Sequence, residues 1–314
     1  MIQVETSKTQ QTIEKTTFSI GTREQTEQWD FYTLNGKKIA IATDRVVAFQ
    51  RMIGTVVHKG QIIAEVIAFF ADKAKDICTT DVIEKIHHRV LVLKNIPKFP
   101  VSFIVYGYLT ASGQYNVWEQ YKNGHRNFYG QQLPAGLKEN QKYETPLIIP
   151  FVQNKPVGKE TLFAEGLVDE DLFYEAEEMC KKIFLEGSEH ATARNVILAH
   201  SFYEFGIEKG SLVLLSGFHL PGTAKYWYAE EYEQRFTTGQ SQKEFMQMAI
   251  PNWLHTVGFA GNGPAPPIPE DVAESASTEF KKLGEQLLGK KIVLEKGDIL
   301  KEIETAEIEY KKKE

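Results

Sequence analysis

An Asn-Gly turn near the N-terminus is the feature that most restricts how this chain can fold. Residues 29–34 are rich in aromatic side chains, Asn35 and Gly36 follow, and residues 38–42 form a second largely apolar run. An Asn-Gly pair between two such runs is the strongest short-range signal for a two-residue β-hairpin, since both residues tolerate a positive φ. The sequence therefore predicts an antiparallel hairpin over residues 29–42.

Periodicity predicts the next regular elements. Apolar residues at helical spacing indicate a helix over residues 61–76 with one buried face. Strands are predicted at residues 89–93 and 101–109. A second long helix is predicted at residues 169–185, and Gly187 is expected to end it.

A second hairpin is predicted further along, from two apolar runs around residues 206–210. If the hairpin is symmetric, residue 200 lies near residue 216 on the facing strand. The strand period of two would place His200, Phe202 and Glu204 on one face.

Two stretches lack a clear period. Residues 110–159 carry many Gly, Asn and Pro residues, and a connection of this length is expected to line a site. The Pro-rich segment 261–269 is expected to separate two helices. The tail, residues 290–314, holds lysines and acidic residues in equal number, which favours a solvated helix over a partner-binding one.

Composition excludes several classes of protein. The net charge of −6 argues against a dedicated nucleic-acid binder. Only Cys78 and Cys180 are present, so one chain cannot form a disulfide scaffold or a four-thiolate zinc site. No apolar run approaches the ~20 residues of a membrane span, and the polar N-terminus lacks the apolar core of a signal peptide. We expect a cytoplasmic protein with no nucleic-acid or membrane partner.

Several short segments carry a family resemblance through their shared order and spacing. They are Ala42–Phe49, Lys59-Gly60, Gly107–Gly113, Leu133–Glu139, Tyr203–Gly206, Pro221 with Tyr226-Trp227, and Asn252–Leu254 followed by Pro267–Pro269. Over residues 27–290 the chain resembles the SAICAR synthetase (phosphoribosylaminoimidazole-succinocarboxamide synthetase) family.

The resemblance implies an α+β, two-lobed fold with C-terminal helices. It places a small β-rich lobe at residues 1–94, a larger ATP-grasp-like lobe at 95–235, and a helical segment with the charged tail at 236–314. The family joins the amine of aspartate to the carboxylate of a phosphoribosyl aminoimidazole, which ATP activates as an acyl phosphate. Such chemistry needs cationic residues on the phosphates and carboxylates on Mg²⁺.

The sequence departs from the family where charged site residues are expected. Glu27 and Trp29 stand in place of a lysine and an arginine; an alternative alignment on Gly21 and Arg23 also lacks the lysine. Val47 replaces a serine. His200 replaces an aspartate, and Phe202 replaces a lysine. Shape-determining glycines, prolines and aromatic residues persist. Because losing a single transition-state contact costs about a hundredfold in rate, we expect the Mg-ATP ligase activity to be very weak or absent.

The ligand-binding candidates are therefore residues in the best-preserved motifs and their replacements, with no catalytic residue or metal ligand assigned. They are Asp44, Arg45, Lys59, Gly107, Ser112, Gly113, His200, Glu204 and Lys225. Asp44 and Arg45 could instead form a structural ion pair. His200 could form a new histidine-based site, for which His219 is a neighbour to consider, or be a structural histidine.

Three functions stay open. The preferred one is a protein that keeps the cleft and binds a small-molecule ligand or acts as a partner subunit, with homo-oligomerisation open. The second is a functional ligase with a site rebuilt from residues such as Glu27, Asp30, Glu204 and Lys225. Only that alternative calls for ATP and Mg²⁺. The third is an enzyme of another class that uses His200.

Overall fold

The computed structural model describes residues 12–18, 21–111, 115–246 and 249–313. The strands are β1 (Arg23–Gln25), β2 (Trp29–Leu34), β3 (Lys37–Ala42), β4 (Arg45–Ala48), β5 (Arg51–Thr55), β6 (Val82–His87), β7 (Val90–Lys94), β8 (Ser102–Tyr108), β9 (Asn127–Phe128), β10 (Gln131–Gln132), β11 (Lys142–Val152), β12 (Lys155–Pro156), β13 (Val196–Tyr203), β14 (Phe205–Glu208), β15 (Ser211–Leu214) and β16 (Lys225–Tyr228). The helices are α1 (Lys59–Ala74), α2 (Val117–Lys122), α3 (Lys159–Ala164), α4 (Glu170–Thr192), α5 (Ala229–Thr237), α6 (Ile250–Thr256), α7 (Glu270–Leu288) and α8 (Ile299–Lys313).

The first sheet has the antiparallel order β1-β2-β3-β7-β6. Its β2–β3 hairpin is the predicted one, with Leu34 opposite Lys37 and positive φ values of 47° at Asn35 and 74° at Gly36. The predicted first helix is α1, which packs between this sheet and α7. The local signals in this part of the chain are thus confirmed.

The second sheet has the antiparallel order β12-β11-β8-β13-β16. The expectation of a loop-rich segment over residues 110–159 is wrong for β11, which pairs with β8 along most of its length. Gly187 does not end α4, which continues to Thr192. A glycine is present at position 187 because of tertiary packing and not because the helix ends there, since a Cβ atom would overlap the ring of His219.

The second predicted hairpin is wrong in its pairing. Of the two predicted runs, only the parts next to the turn form a hairpin, β14 with β15, in which Phe205 lies opposite Leu214. β13 leaves it and enters the second sheet, where His200 lies opposite Tyr106 on β8 and Lys225 on β16 rather than near residue 216. The buried apolar run of β13 is favoured as a central strand because both of its faces are covered.

The C-terminal helices pack back onto the rest of the chain. α6 and α7 lie on either side of the Pro-rich segment, as expected. The expectation of a solvated tail helix is wrong for one face of α8, where Ile299, Ile303 and Tyr310 are buried with residues of the first sheet. None of the helices in the described ranges is long and apolar enough to cross a membrane.

Candidate ligand-binding cavity

A cavity of about 940 Å³ lies where the β4–β5 hairpin, the second sheet and the helices α6 and α7 meet. Most of its wall is aliphatic or aromatic. The apolar lining includes Val46, Val47, Ala48, Phe49, Ile104, Phe202, Phe245, Ile250, Leu254, Phe259 and Phe280. The ionisable side chains on its wall are Glu27, Arg45, Lys59, His200, Lys225 and His255. A mostly apolar cavity with a few polar groups is typical of small-molecule sites.

Arg45 reaches this wall, yet the chain itself satisfies its guanidinium. Its nitrogens donate to Asp30 Oδ1 at 3.0 Å and to the backbone carbonyl oxygens of Glu14, Thr26, Glu27 and Trp29 at 2.6 to 3.3 Å. Five N–H groups therefore meet five acceptors, and a guanidinium has five such groups. The arginine is left with no donor for a ligand.

Asp44 does not line the cavity and is fully buried. Its Oδ1 accepts from Arg89 Nη1 at 2.9 Å and from the backbone N–H of Gly60 at 3.0 Å. Its Oδ2 accepts from the backbone N–H of Ile13 at 2.8 Å. Asp44 and Arg45 thus each form a structural ion pair, although with Arg89 and Asp30 and not with each other.

Lys59 is the first residue of α1 and is only 5% exposed. Its ammonium has no hydrogen-bond partner within the described ranges, and it lies 5.7 Å from the centre of the Phe280 ring. Burial lowers the pKa of Lys59 from 10.5 to about 8, against a smaller opposite effect of Asp44. A buried cation without a hydrogen-bonding acceptor thus lines an apolar cavity.

His200 also lines the cavity and is 5% exposed. Its ring lies 5.2 Å from that of Tyr106, and neither ring nitrogen has a hydrogen-bond partner in the described part of the chain. Burial lowers the pKa of His200 to about 3, with a further effect of Lys225, so the imidazole is neutral at pH 7. Lys225 itself is paired with Glu244 at 2.6 Å.

The remaining candidates lie elsewhere. Gly107 lines a separate cavity of about 630 Å³, and a Cβ atom there would lie 2.9 Å from Phe184. Glu204 is partly exposed and pairs with Lys98 at 2.8 Å. Ser112 and Gly113 lie outside the described residues.

His219 does not join His200 in a metal site. It is buried against Phe70 and forms a 2.8 Å hydrogen bond with the hydroxyl group of Tyr203. Across the described ranges, no group of three or more His, Cys, Asp or Glu side chains is placed to hold a metal ion.

Sequence reasoning missed most of the aromatic wall. Phe49 occupies the β4–β5 turn at a φ of 52° and packs edge-on against Phe259, with ring centres 5.8 Å apart. Such a φ is rare for a bulky residue. Two features of the sequence indicate an apolar cavity wall: Val47 stands where the family has a serine, and Phe202 where it has a lysine. The aromatic residues of α7 and of the segment before it carried no such signal.

The cavity does not fit a magnesium-bound triphosphate. Mg²⁺ requires several hard oxygen ligands, and Glu27 is the one carboxylate on the wall within the described residues. Glu27 would also repel the phosphates. Of the lysines and arginines on the described wall, Arg45 has no free donor and Lys225 is paired with Glu244, so Lys59 is the one whose charge has no direct partner.

Comparison with known proteins identifies the family. The SAICAR synthetase family profile matches residues 28–264. The chain belongs to the SAICAR synthetase family. A relative from Bacteroides fragilis, named phosphoribosylaminoimidazole-succinocarboxamide synthase, is 34% identical over 276 residues, which are 85% of this chain and 87% of the relative. A Legionella pneumophila protein of the same name is 29% identical over 84% of this chain and 86% of its own length.

Solved SAICAR synthetase structures share the fold. The structure described as SAICAR synthase from Saccharomyces cerevisiae in complex with SAICAR superposes with a TM-score of 0.80 at 21% identity, covering 89% of this chain and 99% of that one. A SAICAR synthetase described in complex with ADP gives a TM-score of 0.62 at 16% identity, covering 87% and 100%. The predicted α+β, SAICAR synthetase-like fold with C-terminal helices is confirmed, and with it membership of a ligase family of purine biosynthesis.

Proposed function

We propose that this member of the SAICAR synthetase family binds a small organic anion in the 940 Å³ cavity and has little or no ATP-dependent ligase activity. The observation that carries the proposal is the state of Lys59. Its buried ammonium, without a hydrogen-bond partner in the described ranges, lines a cavity that is large enough for a ligand.

A bound anion relieves an energetic penalty that the unliganded protein bears. Burying a charge without a direct ion-pair or hydrogen-bond partner costs several kcal/mol, and a direct partner recovers much of that cost. At Lys59 the nearby charge of Asp44 offsets only part of the effect of burial. Lys59 therefore favours a negatively charged group next to its Nζ atom. His200 adds one neutral donor and one neutral acceptor on the same wall.

Three features support weak ligase activity. The guanidinium of Arg45 is saturated by the chain, the carboxylate of Asp44 is held by Arg89, and Glu27 faces the space that phosphates would need. A transition state that gathers negative charge depends on free cations and on magnesium. Without them, the reaction named for the relatives lacks its main source of stabilisation.

The test is a ligase assay with magnesium, ATP, aspartate and the phosphoribosyl aminoimidazole carboxylate, with the Bacteroides fragilis relative assayed in parallel as a positive control. We expect turnover below roughly one thousandth of the control. Turnover near ~1 per second would overturn the proposal, because that is an ordinary enzymatic rate. Calorimetric titration with Mg-ATP provides a second measurement, in which we expect no saturable binding.

A further inference from the structure

Of the lysines and arginines that line the described part of the cavity wall, Lys59 is the one without an ion pair or a hydrogen bond. Lys225 is paired with Glu244 at 2.6 Å. The donors of Arg45 are all taken up by Asp30, which also pairs with Arg23, and by four backbone carbonyl oxygens. Lys59 is without a carboxylate partner in the described ranges, while Glu27 contributes a negative charge to the same wall. A ligand with one negative charge finds a counter-ion at Lys59. A further negative charge would face Glu27, the already hydrogen-bonded Arg45 and Lys225, and the imidazoles of His200 and His255.

The rest of the wall favours flat, apolar groups. Phe49 and Phe259 pack edge-on at one side, and Phe202 lines the sheet side. Phe280 lies next to the Lys59 ammonium, so an aromatic surface adjoins the free cation directly. Aromatic side chains bind ring systems through offset and edge-on contacts, and they gain little from a hydrated sugar or phosphate.

From this juxtaposition we infer that the cavity takes an aromatic acid with a single negative charge, its anionic group at Lys59 Nζ and its ring between the phenylalanine side chains, and that it discriminates against nucleotide-like polyanions. This inference rests on the proposed binding function and specifies its ligand class. It differs from the phosphorylated substrates and ATP of the family's reaction.

Two fluorescent probes of nearly the same shape test the inference. Anilinonaphthalene sulfonate carries one negative charge, and phenylnaphthylamine is its uncharged counterpart. We expect both to bind the parent protein, and K59M to weaken binding of the sulfonate by roughly tenfold or more, as expected when a buried charge-assisted hydrogen bond is lost. Binding of the uncharged probe should be unchanged in K59M, which shows that the cavity is still folded. K122M removes an exposed lysine outside the cavity wall and should change neither affinity.

A second variant tests whether the probes bind in the cavity. F202E puts a carboxylate on the sheet side of the wall and should weaken both probes, the sulfonate more strongly. ATP, with or without magnesium, should fail to displace the sulfonate.

Several results would overturn the inference: equal binding of the sulfonate by K59M and the parent, an equal loss of both probes in K59M, no effect of F202E, or displacement by ATP at a comparable concentration. The ligase assay is independent of these titrations. Efficient turnover there would overturn the proposed function, whereas a failure confined to the probe titrations would overturn only the ligand class.

Discussion

Replacing Lys59 by methionine is expected to stabilise the unliganded protein. The ammonium is buried at 5% exposure, and no group within the described ranges accepts a hydrogen bond from it. Methionine has a similar length and no charge, so it can occupy the same space next to Phe280 without the desolvation cost. The prediction therefore links the proposed binding role of Lys59 to a measurable loss of stability.

The magnitude follows from the pKa of Lys59, which burial lowers from 10.5 to about 8. A lowered pKa of about this size corresponds to roughly 3 kcal/mol of destabilisation at pH 7, where lysine is charged in both states. Between pH 8 and 10.5 the unfolded chain binds more protons than the folded protein. The stability of the parent should therefore rise with pH across that window, and the penalty should be fully present below it.

The assay is urea unfolding of the parent, K59M and K122M at a series of pH values from 7 to 10.5. We expect K59M to raise the free energy of unfolding by about 2–3 kcal/mol at pH 7, and this gain to shrink as the pH approaches 10.5. K122M should follow the parent throughout. A K59M variant that is less stable than the parent at pH 7, or whose advantage does not change with pH, would refute the reasoning that the burial cost of the Lys59 charge is only partly offset by its surroundings.

Three further substitutions test the surrounding structure. Arg45→Met should lower the free energy of unfolding by about 3–5 kcal/mol in urea titrations, because it removes one of the two arginines on the buried Asp30 and the donor to four backbone carbonyl oxygens; a loss below about 1 kcal/mol would contradict the structural role. Glu307→Gln should reduce the fall in stability that the parent shows as the pH rises from about 4.5 to 7, because burial raises the pKa of the Glu307 carboxyl to about 7; thermal melts at pH 5 and 8 measure this, and parallel profiles of the parent and the variant would contradict it. Gly187→Ala should cost about 1–3 kcal/mol or more, because its Cβ would overlap His219; an unchanged melting temperature would show that α4 can shift at no cost.

Local patterns in the sequence were sufficient for elements whose partners lie nearby. The hairpin around Asn35-Gly36 needs only two strand-like runs and a turn that accepts positive φ, and both are visible in the sequence. The apolar face of α1 follows in the same way from a period of 3.6 residues. Family membership could also be predicted from the sequence, because the glycine, proline and aromatic residues that determine the backbone geometry are retained even where charged residues are replaced.

Which distant strands pair with each other could not be predicted from the sequence. The apolar run at β13 predicts a strand, but a period of two carries no information about which strand lies beside it. The pairing of His200 with Tyr106 joins residues far apart in the chain. The glycine at position 187 is required by the His219 ring of another element, a contact that the local sequence pattern does not reveal. These choices depend on how whole elements pack.

For the candidate site, the amino-acid sequence shows which charged residues are present and which are replaced. It identified Lys59, His200 and Lys225, all of which the structure brings to one cavity. The tertiary structure is needed to tell which charged side chains lack a partner, because the partner of an ion pair can lie anywhere in the chain. The donors of Arg45 are all hydrogen-bonded to Asp30 and to backbone carbonyl oxygens, whereas Lys59 is buried with no hydrogen-bond partner in the described ranges. In the sequence Arg45 and Lys59 are both simply cationic residues. Whether each can bind a ligand depends on the groups that surround it in the folded protein.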